Sequence, residues 1–214
     1  MALARALTVA LGGMLAALSL TTIGVAWTYV GEAFPGFLPA ANGIVSQLEL
    51  PDWPGARAGL RFNDWIAEID GAPIAGGGAV WAHVRSVPLG TSATYTLNRQ
   101  GILGTVTRSE VTVATRVFGL ADFFTVFVPL WATGIFVAFS GLLLYALRPD
   151  EAASRVFLGT SAALSVLLLT GFDYYSSHLF HRLTPFASAV FLAVSYTHLR
   201  AHETKANLVC RLLL

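Results

Sequence analysis

The sequence predicts an α+β membrane protein, in which transmembrane helices carry a small extracytoplasmic insert built as a β-barrel or sandwich. Hydrophobic residues make up 55% of the chain and charged residues only 12%, whereas a soluble domain is about 25% charged. Long apolar runs flank one stretch of short, alternating segments bounded by glycine and proline, which is typical of strands and turns. The net charge of +1 argues against a nucleic-acid partner, and the single cysteine rules out a disulfide framework.

The first apolar run, residues 7–30, predicts a transmembrane helix, because about twenty such residues cross a bilayer. A cleaved signal peptide has a shorter apolar core and a small-residue cleavage site. Here the run continues to Trp27 and Tyr29, which suit the aromatic belt at a membrane interface. We therefore interpret residues 1–30 as an uncleaved signal anchor.

The rest of the chain alternates between polar connections and apolar spans. Residues 31–40 contain prolines and a glycine that predict a linker, and the insert follows at residues 41–117. Beyond the insert we expect transmembrane helices at 120–147 and 153–172, an extracytoplasmic loop at 173–183, and the start of a fourth transmembrane helix at 184–193. Pro129 is expected to kink the second span.

Basic residues set the expected orientation in the membrane. Arg5 precedes the first span, and Arg148 and Arg155 flank the connection between the second and third spans. Positive charge is retained on the cytoplasmic side. The N-terminus and that connection are therefore expected inside the cell, and the insert outside.

The insert is organised around residues 54–74. A proline–glycine turn begins this stretch, a short helical turn ends at Gly59, and a second turn contains Asn63. An alternating strand then leads to the tight turn Asp70-Gly71. This run resembles the centre of a bacterial PDZ domain, although the family usually has glycine in place of Asn63; asparagine also tolerates the left-handed conformation. The resemblance implies a multi-pass protein of the bacterial inner membrane, with its insert in the periplasm.

The resemblance also implies a site for an extended peptide, which a PDZ domain adds as a strand beside one of its own. Carried over to this chain, residues 41–43 form the carboxylate-binding loop, residues 44–47 the docking strand, and two residues of the following helix face them. The candidate peptide-binding residues are Asn42, Gly43, Ile44, Val45, Ser46, Ala79 and His83. The expected partner is a peptide or the C-terminal tail of a periplasmic or membrane protein. A closed groove, with the fold used as a spacer or docking surface, remains an open alternative.

Motifs of known enzyme classes are missing from residues 1–193. A membrane metalloprotease with a PDZ insert would need His-Glu-x-x-His in its first span, and residues 7–30 contain neither His nor Glu. The Gly-x-Ser-x-Gly elbow of serine hydrolases is also missing from residues 1–193. We therefore assign no catalytic residue, metal or cofactor. His178 and His181, with Asp173 nearby, could share a metal or sense pH; we interpret them instead as part of an interfacial loop. Asp122 and Asp173 are expected at the outer ends of their spans rather than within lipid.

The layout of a signal anchor, a PDZ-like insert and further spans is similar to the input half of certain bacterial sensor histidine kinases. This resemblance implies signal transduction, in which a periplasmic peptide or a membrane partner shifts the helices. It leaves open whether a longer form of the protein is a kinase. The alternative hypothesis is a scaffold or adaptor that serves a membrane-associated protease.

The last residues, 194–214, resemble a translated sequencing adapter. Two constant blocks, Val-Ser-Tyr-Thr-His-Leu-Arg-Ala-His-Glu-Thr and Leu-Val-Cys-Arg-Leu-Leu-Leu, are separated by three residues that fall where a variable index would be translated. We therefore exclude this segment from interpretation and expect the natural sequence to diverge after Ala193. The alternative is a genuine amphipathic tail. No ligand role is assigned to His198, His202, Glu203 or Cys210.

Overall fold

The computed structural model describes residues 2–48, 50–101 and 104–196, with side chains described from Ala6 onward. Most of the segment that resembles an adapter, including His198, His202, Glu203 and Cys210, lies outside these residues. The chain divides into two compact units. The helical unit comprises Met1–Leu20, Trp131–Thr170 and Arg182–Leu214, and the insert unit comprises Thr21–Leu130 and Gly171–His181. Apolar helices combined with small antiparallel sheets confirm the α+β class.

The described helices and strands are numbered in chain order. The helices are α1 (Ala2–Trp27), α2 (Pro54–Ala58), α3 (Gly77–Ser86), α4 (Leu120–Leu147), α5 (Ala152–Tyr174) and α6 (Leu183–Tyr196). The strands are β1 (Ala33–Phe34), β2 (Trp65–Ile69), β3 (Ala72–Pro73), β4 (Ser92–Gln100), β5 (Val106–Ala114) and β6 (Arg116–Val117).

Among the described residues, 3 helices are long and apolar enough to cross a membrane. They are Ala6–Trp27 within α1, the whole of α4 and the whole of α5. These helices lie where the sequence predicts the first three spans. The shorter apolar helix α6 begins where the fourth span is expected.

An irregularity in α4 lies directly before Pro129. The helix contains a π turn at Phe123–Phe127. Proline has no N–H for the carbonyl four residues earlier, and a π turn shifts the hydrogen bonds by one residue. The Thr125 hydroxyl, inside this turn, donates to the carbonyl of Ala121 just before it at 2.7 Å. The break that the proline predicts is therefore taken up as a widened turn.

Small residues allow α4 and α5 to approach closely within the helical unit. A Cβ on Gly141 would lie 2.6 Å from Cβ of Ser161, and one on Gly134 would lie 3.0 Å from Cγ of Leu169. Such contacts are typical of helices that associate in membranes. The Thr184 hydroxyl also donates to the Thr170 hydroxyl at 2.9 Å.

The insert unit is built on a four-stranded antiparallel sheet in the order β3-β2-β4-β5. The register between β2 and β4 shifts between Ile66 and Glu68. This bulge brings Ile66 and Ile69 to the same side, although strict alternation would place them on opposite faces. Both isoleucines are buried, and they join a core that contains Tyr95 and Leu97 of β4 and Val80 of α3.

Three turns of the insert use the left-handed backbone that the sequence predicts. Gly59 caps α2 at φ +91° and donates its N–H to the Ala56 carbonyl at 3.1 Å. Asn63 has φ +68° and Asp70 has φ +49°, followed by Gly71 at +78°. Glycine, asparagine and aspartate are the residues that reach this region at the lowest cost. The short helix α2, the strand β2, the helix α3 and the hairpin β4–β5 follow one another in the insert, whereas residues 44 and 45 form only isolated bridges, to Trp65 and Pro39.

Residues 31–40, predicted as a linker, are instead packed into the insert unit. β1 pairs with β6 through Ala33 and Phe34. The side chains of Phe34, Phe37 and Leu38 are fully buried. The prolines and glycine of this stretch indicated a flexible connection, but the apolar residues between them have enough area to form part of the core.

Candidate peptide-binding groove

The predicted docking strand, residues 44–47, is hydrogen-bonded on both edges. The bonds run from Val45 N to Asp64 O (2.9 Å) and from Asn63 N to Val45 O (3.3 Å) on one edge, and from Ala40 N to Ile44 O (2.8 Å) and Ser46 N to Leu38 O (2.9 Å) on the other. A peptide can be added only where an edge still has unpaired backbone groups. Residues 44–46 therefore lie between two neighbours, and strand addition directly beside them is blocked.

The predicted carboxylate-binding loop, residues 41–43, is a tight turn that joins the two arms of this small hairpin. Gly43 has φ +82° and donates its N–H to the Ala40 carbonyl at 2.8 Å. The Ile44 N–H donates to Oδ1 of Asn42 at 3.2 Å. These two N–H groups are used within the turn, so they are not available to hold a peptide carboxylate.

The predicted helix residues Ala79 and His83 lie on the side of α3 that faces the β2–β3 turn. Nε2 of His83 is 3.3 Å from Oδ2 of Asp70, and Ala79 lies one helical turn earlier on the same face. The neighbouring face contains Gly78 and Ala82, which are likewise one turn apart. The sequence pattern correctly separated Ala79 and His83 from the core face but did not distinguish these two remaining faces.

The segment outside the hairpin, residues 37–41, runs along the N-terminal part of α3. Gly77 N–H donates to the Ala41 carbonyl at 3.2 Å. A Cβ on Gly77 would lie 2.2 Å from the Ala40 carbonyl oxygen, and one on Gly76 would lie 2.2 Å from the Ala41 oxygen. Gly76 and Gly77, in the run that looks like a flexible joint in the sequence, are therefore needed for this close approach.

We use the word groove for the seam between the outer edge of residues 37–41 and the face of α3 that carries Gly78, Trp81 and Ala82, at one end of which residues 40–41 contact Gly76 and Gly77 directly. Leu38 and Ala40 bond inward to the hairpin. In extended backbone, the residue between them directs its polar groups to the opposite edge. That residue is Pro39, which has no N–H but offers its carbonyl as an acceptor.

The groove is covered by the connection after α5, residues 174–181, which we call the His178 loop. Nε2 of His178 donates to the Pro39 carbonyl at 3.1 Å. Nε1 of Trp81 donates to the Tyr175 carbonyl at 3.2 Å. Burial raises the pKa of Tyr175, and an interaction of its hydroxyl with the Ser46 side chain acts in the opposite direction. The loop thus contacts both walls of the groove.

A buried carboxylate holds the His178 loop in shape. Asp173 is only 3% exposed. Its carboxylate accepts the Ser177 hydroxyl, the Leu179 N–H at 3.3 Å and the Phe180 N–H at 2.7 Å. His178 has φ +58° at the bend of this loop. Asp173 therefore satisfies backbone donors at the end of its span, which agrees with the expectation that it does not face lipid.

Burial lowers the pKa of His178, because a charged imidazole loses hydration in the groove. The Pro39 carbonyl and Asp173 act in the opposite direction, and His181 adds to the lowering. Nδ1 of His181 donates to the His178 carbonyl at 2.8 Å. Within the described residues, no group of 3 or more His, Cys, Asp or Glu side chains could hold a metal ion.

An aromatic cluster lies beside the groove and was not predicted from the sequence. Trp81 packs edge-on against Tyr29 with ring centroids 4.9 Å apart, and Phe34 packs against Trp53 at 4.7 Å. Nε1 of Trp53 donates to Oδ1 of Asp122 at 2.8 Å. Asp122 also pairs with Arg116, so this carboxylate is buried with partners inside the insert unit.

The groove and its cover are formed by residues from three parts of the chain: Pro39 on one side, Gly76, Gly77 and Trp81 of the α3 region on the other, and Tyr175 and His178 in the loop that covers them. Among these, only the glycine run and His178 gave a sequence signal, and neither signal pointed to peptide binding. A long-range contact such as the one between His178 and Pro39 leaves no trace in local periodicity.

No protein-family model matches the chain, and no curated relative matches it. Among solved structures, it is similar to the serine endoprotease from Yersinia pestis, with 24% identity and a TM-score of 0.34 over 41% of this chain and 30% of that one. It is also similar to the HtrA-type protease AlgW with decapeptide, with 19% identity, the same TM-score of 0.34 and the same coverage of 41% and 30%. The chain thus spans less than a third of the length of these structures. Both of these structures are proteases, and the resemblance to sensor histidine kinases finds no support here.

Proposed function

We propose that this chain is a membrane-anchored protein whose PDZ-like insert binds an extended peptide or the C-terminal tail of a periplasmic or membrane protein. The insert would lie outside the cytoplasm, because Arg5, Arg148 and Arg155 mark the opposite side. The anchoring part would be the apolar helices α1, α4 and α5.

The observation that carries the proposal is the outer edge of residues 37–41 beside α3. Adding a strand there requires an acceptor on the edge and a second wall for the peptide side chains. The Pro39 carbonyl supplies the acceptor, and the face of α3 with Gly78 and Ala82 supplies the wall. Because Pro39 cannot donate, a ligand must bring an N–H to this position rather than a second carbonyl.

For the larger role, we propose an adaptor or scaffold that presents bound peptides to a membrane-associated protease. This role requires only a peptide site and a membrane anchor. The sensor-kinase hypothesis additionally requires a cytoplasmic transmitter, and the sequence of the complete gene would reveal one. Peptide capture itself is common to both roles.

The binding function can be tested on the full chain reconstituted in lipid nanodiscs. The probe is a library of fluorescein-labelled decapeptides with free C-termini, screened by fluorescence anisotropy. We expect a subset to bind with a shared C-terminal pattern and to weaken when the C-terminus is amidated. If no peptide binds either the wild type or the variants with a weakened His178 loop described below, the proposed function is wrong.

A further inference from the structure

We propose that the chain regulates its own peptide site: the His178 loop occupies the groove as an internal ligand, and a partner peptide binds only when this loop leaves. The inference rests on the peptide-binding function proposed above and adds its regulation. It places the control in a connection between two helices, and not in the sheet.

The first support is that the loop uses the groups a peptide would need. A ligand strand on the outer edge would donate an N–H to the Pro39 carbonyl, and that carbonyl already accepts Nε2–H of His178 at 3.1 Å. The imidazole also reaches α3, since Nδ1 of His178 lies 4.0 Å from the position of a Cβ on Gly78. A peptide and the seated loop therefore cannot occupy this position together.

The second support is that the loop keeps its shape through its own residues. The Asp173 carboxylate accepts hydrogen bonds from within the connection, and the Asp173 carbonyl accepts the Ser176 and His178 N–H groups at 3.1 and 2.9 Å. Among the described residues, separate hydrogen bonds join the loop to the groove, from Nε1 of Trp81 to the Tyr175 carbonyl and from Nε2 of His178 to the Pro39 carbonyl. The loop can thus leave the groove as a preformed piece, without losing its internal hydrogen bonds.

The third support is the position of the loop along the chain. It begins at the end of α5 and leads directly to the start of α6. Displacing it therefore changes the constraint on the ends of two consecutive helices, which gives peptide capture a mechanical output. A site that is open only part of the time binds its ligand more weakly, in proportion to the open fraction.

The test weakens the loop without altering the groove. Tyr175→Phe removes the hydroxyl that interacts with the Ser46 side chain, and His178→Asn removes the ring that reaches Pro39 while keeping a residue that tolerates positive φ. Tyr174→Phe is the matched control, because it removes a neighbouring tyrosine hydroxyl and leaves both contacts in place. The readout is decapeptide affinity on full chains in nanodiscs.

Loss of the His178 hydrogen bond should raise the open fraction about fivefold, and loss of the Tyr175 hydroxyl should add to this effect. The double variant should therefore bind the decapeptides at least about fivefold more tightly than the wild type, whereas Tyr174→Phe should match the wild type. Equal affinities for wild type and double variant would overturn the internal-ligand proposal and leave the binding function standing.

A distance measurement tests whether the His178 loop occupies the groove independently of whether a peptide binds. Nitroxide labels at Ser86 and Leu179, with Cys210 replaced by serine, should give a narrow distance distribution that broadens when a bound decapeptide is added. A pair at Ser86 and Thr107, both within the insert, should stay unchanged. A broad distribution at Ser86 and Leu179 without peptide would show that the loop is not seated, and so overturn the inference even if no decapeptide binds to any form.

Discussion

Gly77 and Gly78, at the start of α3, differ in whether the structure has room for a side chain. A Cβ on Gly77 would lie 2.2 Å from the Ala40 carbonyl oxygen, so alanine there forces backbone to move; on Gly78 the nearest atom would be 4.0 Å away. We expect Gly77→Ala to lower the free energy of unfolding by about 2 kcal/mol or more. Gly78→Ala should be neutral or stabilising by up to about 1 kcal/mol, because alanine favours the helix.

Thermal and chemical unfolding of the two variants, followed by the circular dichroism of the insert, checks this pair. Similar stabilities for both variants would mean that residues 40–41 do not approach α3 as closely as the groove requires.

His178 makes the seated loop sensitive to acid. Its pKa is lowered by burial, so the released loop takes up a proton more readily than the seated one. The seated state is therefore fully favoured above the ordinary histidine pKa of about 6.5 and is weakened as the pH falls from there through the lowered pKa. The charged or titratable neighbours are Asp173 and His181, which shift this pKa in opposite directions.

We expect the nitroxide distance between Ser86 and Leu179 to broaden between about pH 7.5 and about pH 5. His178→Asn should abolish this dependence. If the wild-type distribution of distances between Ser86 and Leu179 is the same at both pH values, the imidazole of His178 does not control whether the loop occupies the groove.

At the scale of elements, one ion pair ties β4 to the turn before β2. Arg99 donates to both carboxylate oxygens of Asp64 at 2.6 Å, and the Asp64 side chain is 1% exposed. Arg99→Met would leave this buried carboxylate without its partner, which costs about 3 kcal/mol. The control is Arg108→Ala, because the Arg108–Glu68 pair is exposed on the arginine side and contributes no more than about 1 kcal/mol.

Urea unfolding of the two variants measures the difference. If Arg99→Met lowers the free energy of unfolding no more than Arg108→Ala does, the Asp64 carboxylate finds other partners or takes up a proton.

The helices and the central turns of the insert could be predicted because their signals are local. Length and apolarity predicted α1, α4 and α5, and glycine spacing predicted the cap at Gly59. The packing of residues 31–40 could not be predicted, because it depends on the pairing of β1 with the distant β6. The position of the bulge could not be predicted either. The sequence indicates that Ile66 and Ile69 can be buried on the same face only if a bulge lies between them. Its position between Ile66 and Glu68 depends on the pairing of β2 with β4.

At the scale of the whole molecule, the proposed position of the groove differs from the position that the sequence indicated. The strand-addition mode was expected, but residues 44–46 proved to be an inner strand because the preceding segment folds back on them. The sequence does not indicate that the preceding segment pairs with residues 44–46, because prolines interrupt its strand pattern. Likewise, Ala79 and His83 have the correct helical spacing but lie on the face that pairs with Asp70.

The proposed orientation in the membrane predicts a labelling pattern. Ser92 starts β4 in the insert and Ala152 starts α5 after the basic connection. In chains with Cys210 replaced by serine, a cysteine at Ser92 should react with a membrane-impermeant thiol reagent in intact cells whose outer membrane has been permeabilised. A cysteine at Ala152 should react only after lysis. The reverse pattern would place the insert in the cytoplasm.

The central claim is that a peptide binds between residues 37–41 and the Gly78 face of α3. The most direct measurement places a benzoylphenylalanine photo-crosslinker at Ala82 or, in a matched variant, at His83, one residue along the same helix. Full chains carrying the Tyr175→Phe and His178→Asn substitutions would be irradiated with a bound decapeptide and digested for mass spectrometry. The account predicts strong crosslinking from position 82 and little from position 83. Crosslinking confined to position 83 would place the peptide on the Asp70 side of α3 and contradict the account.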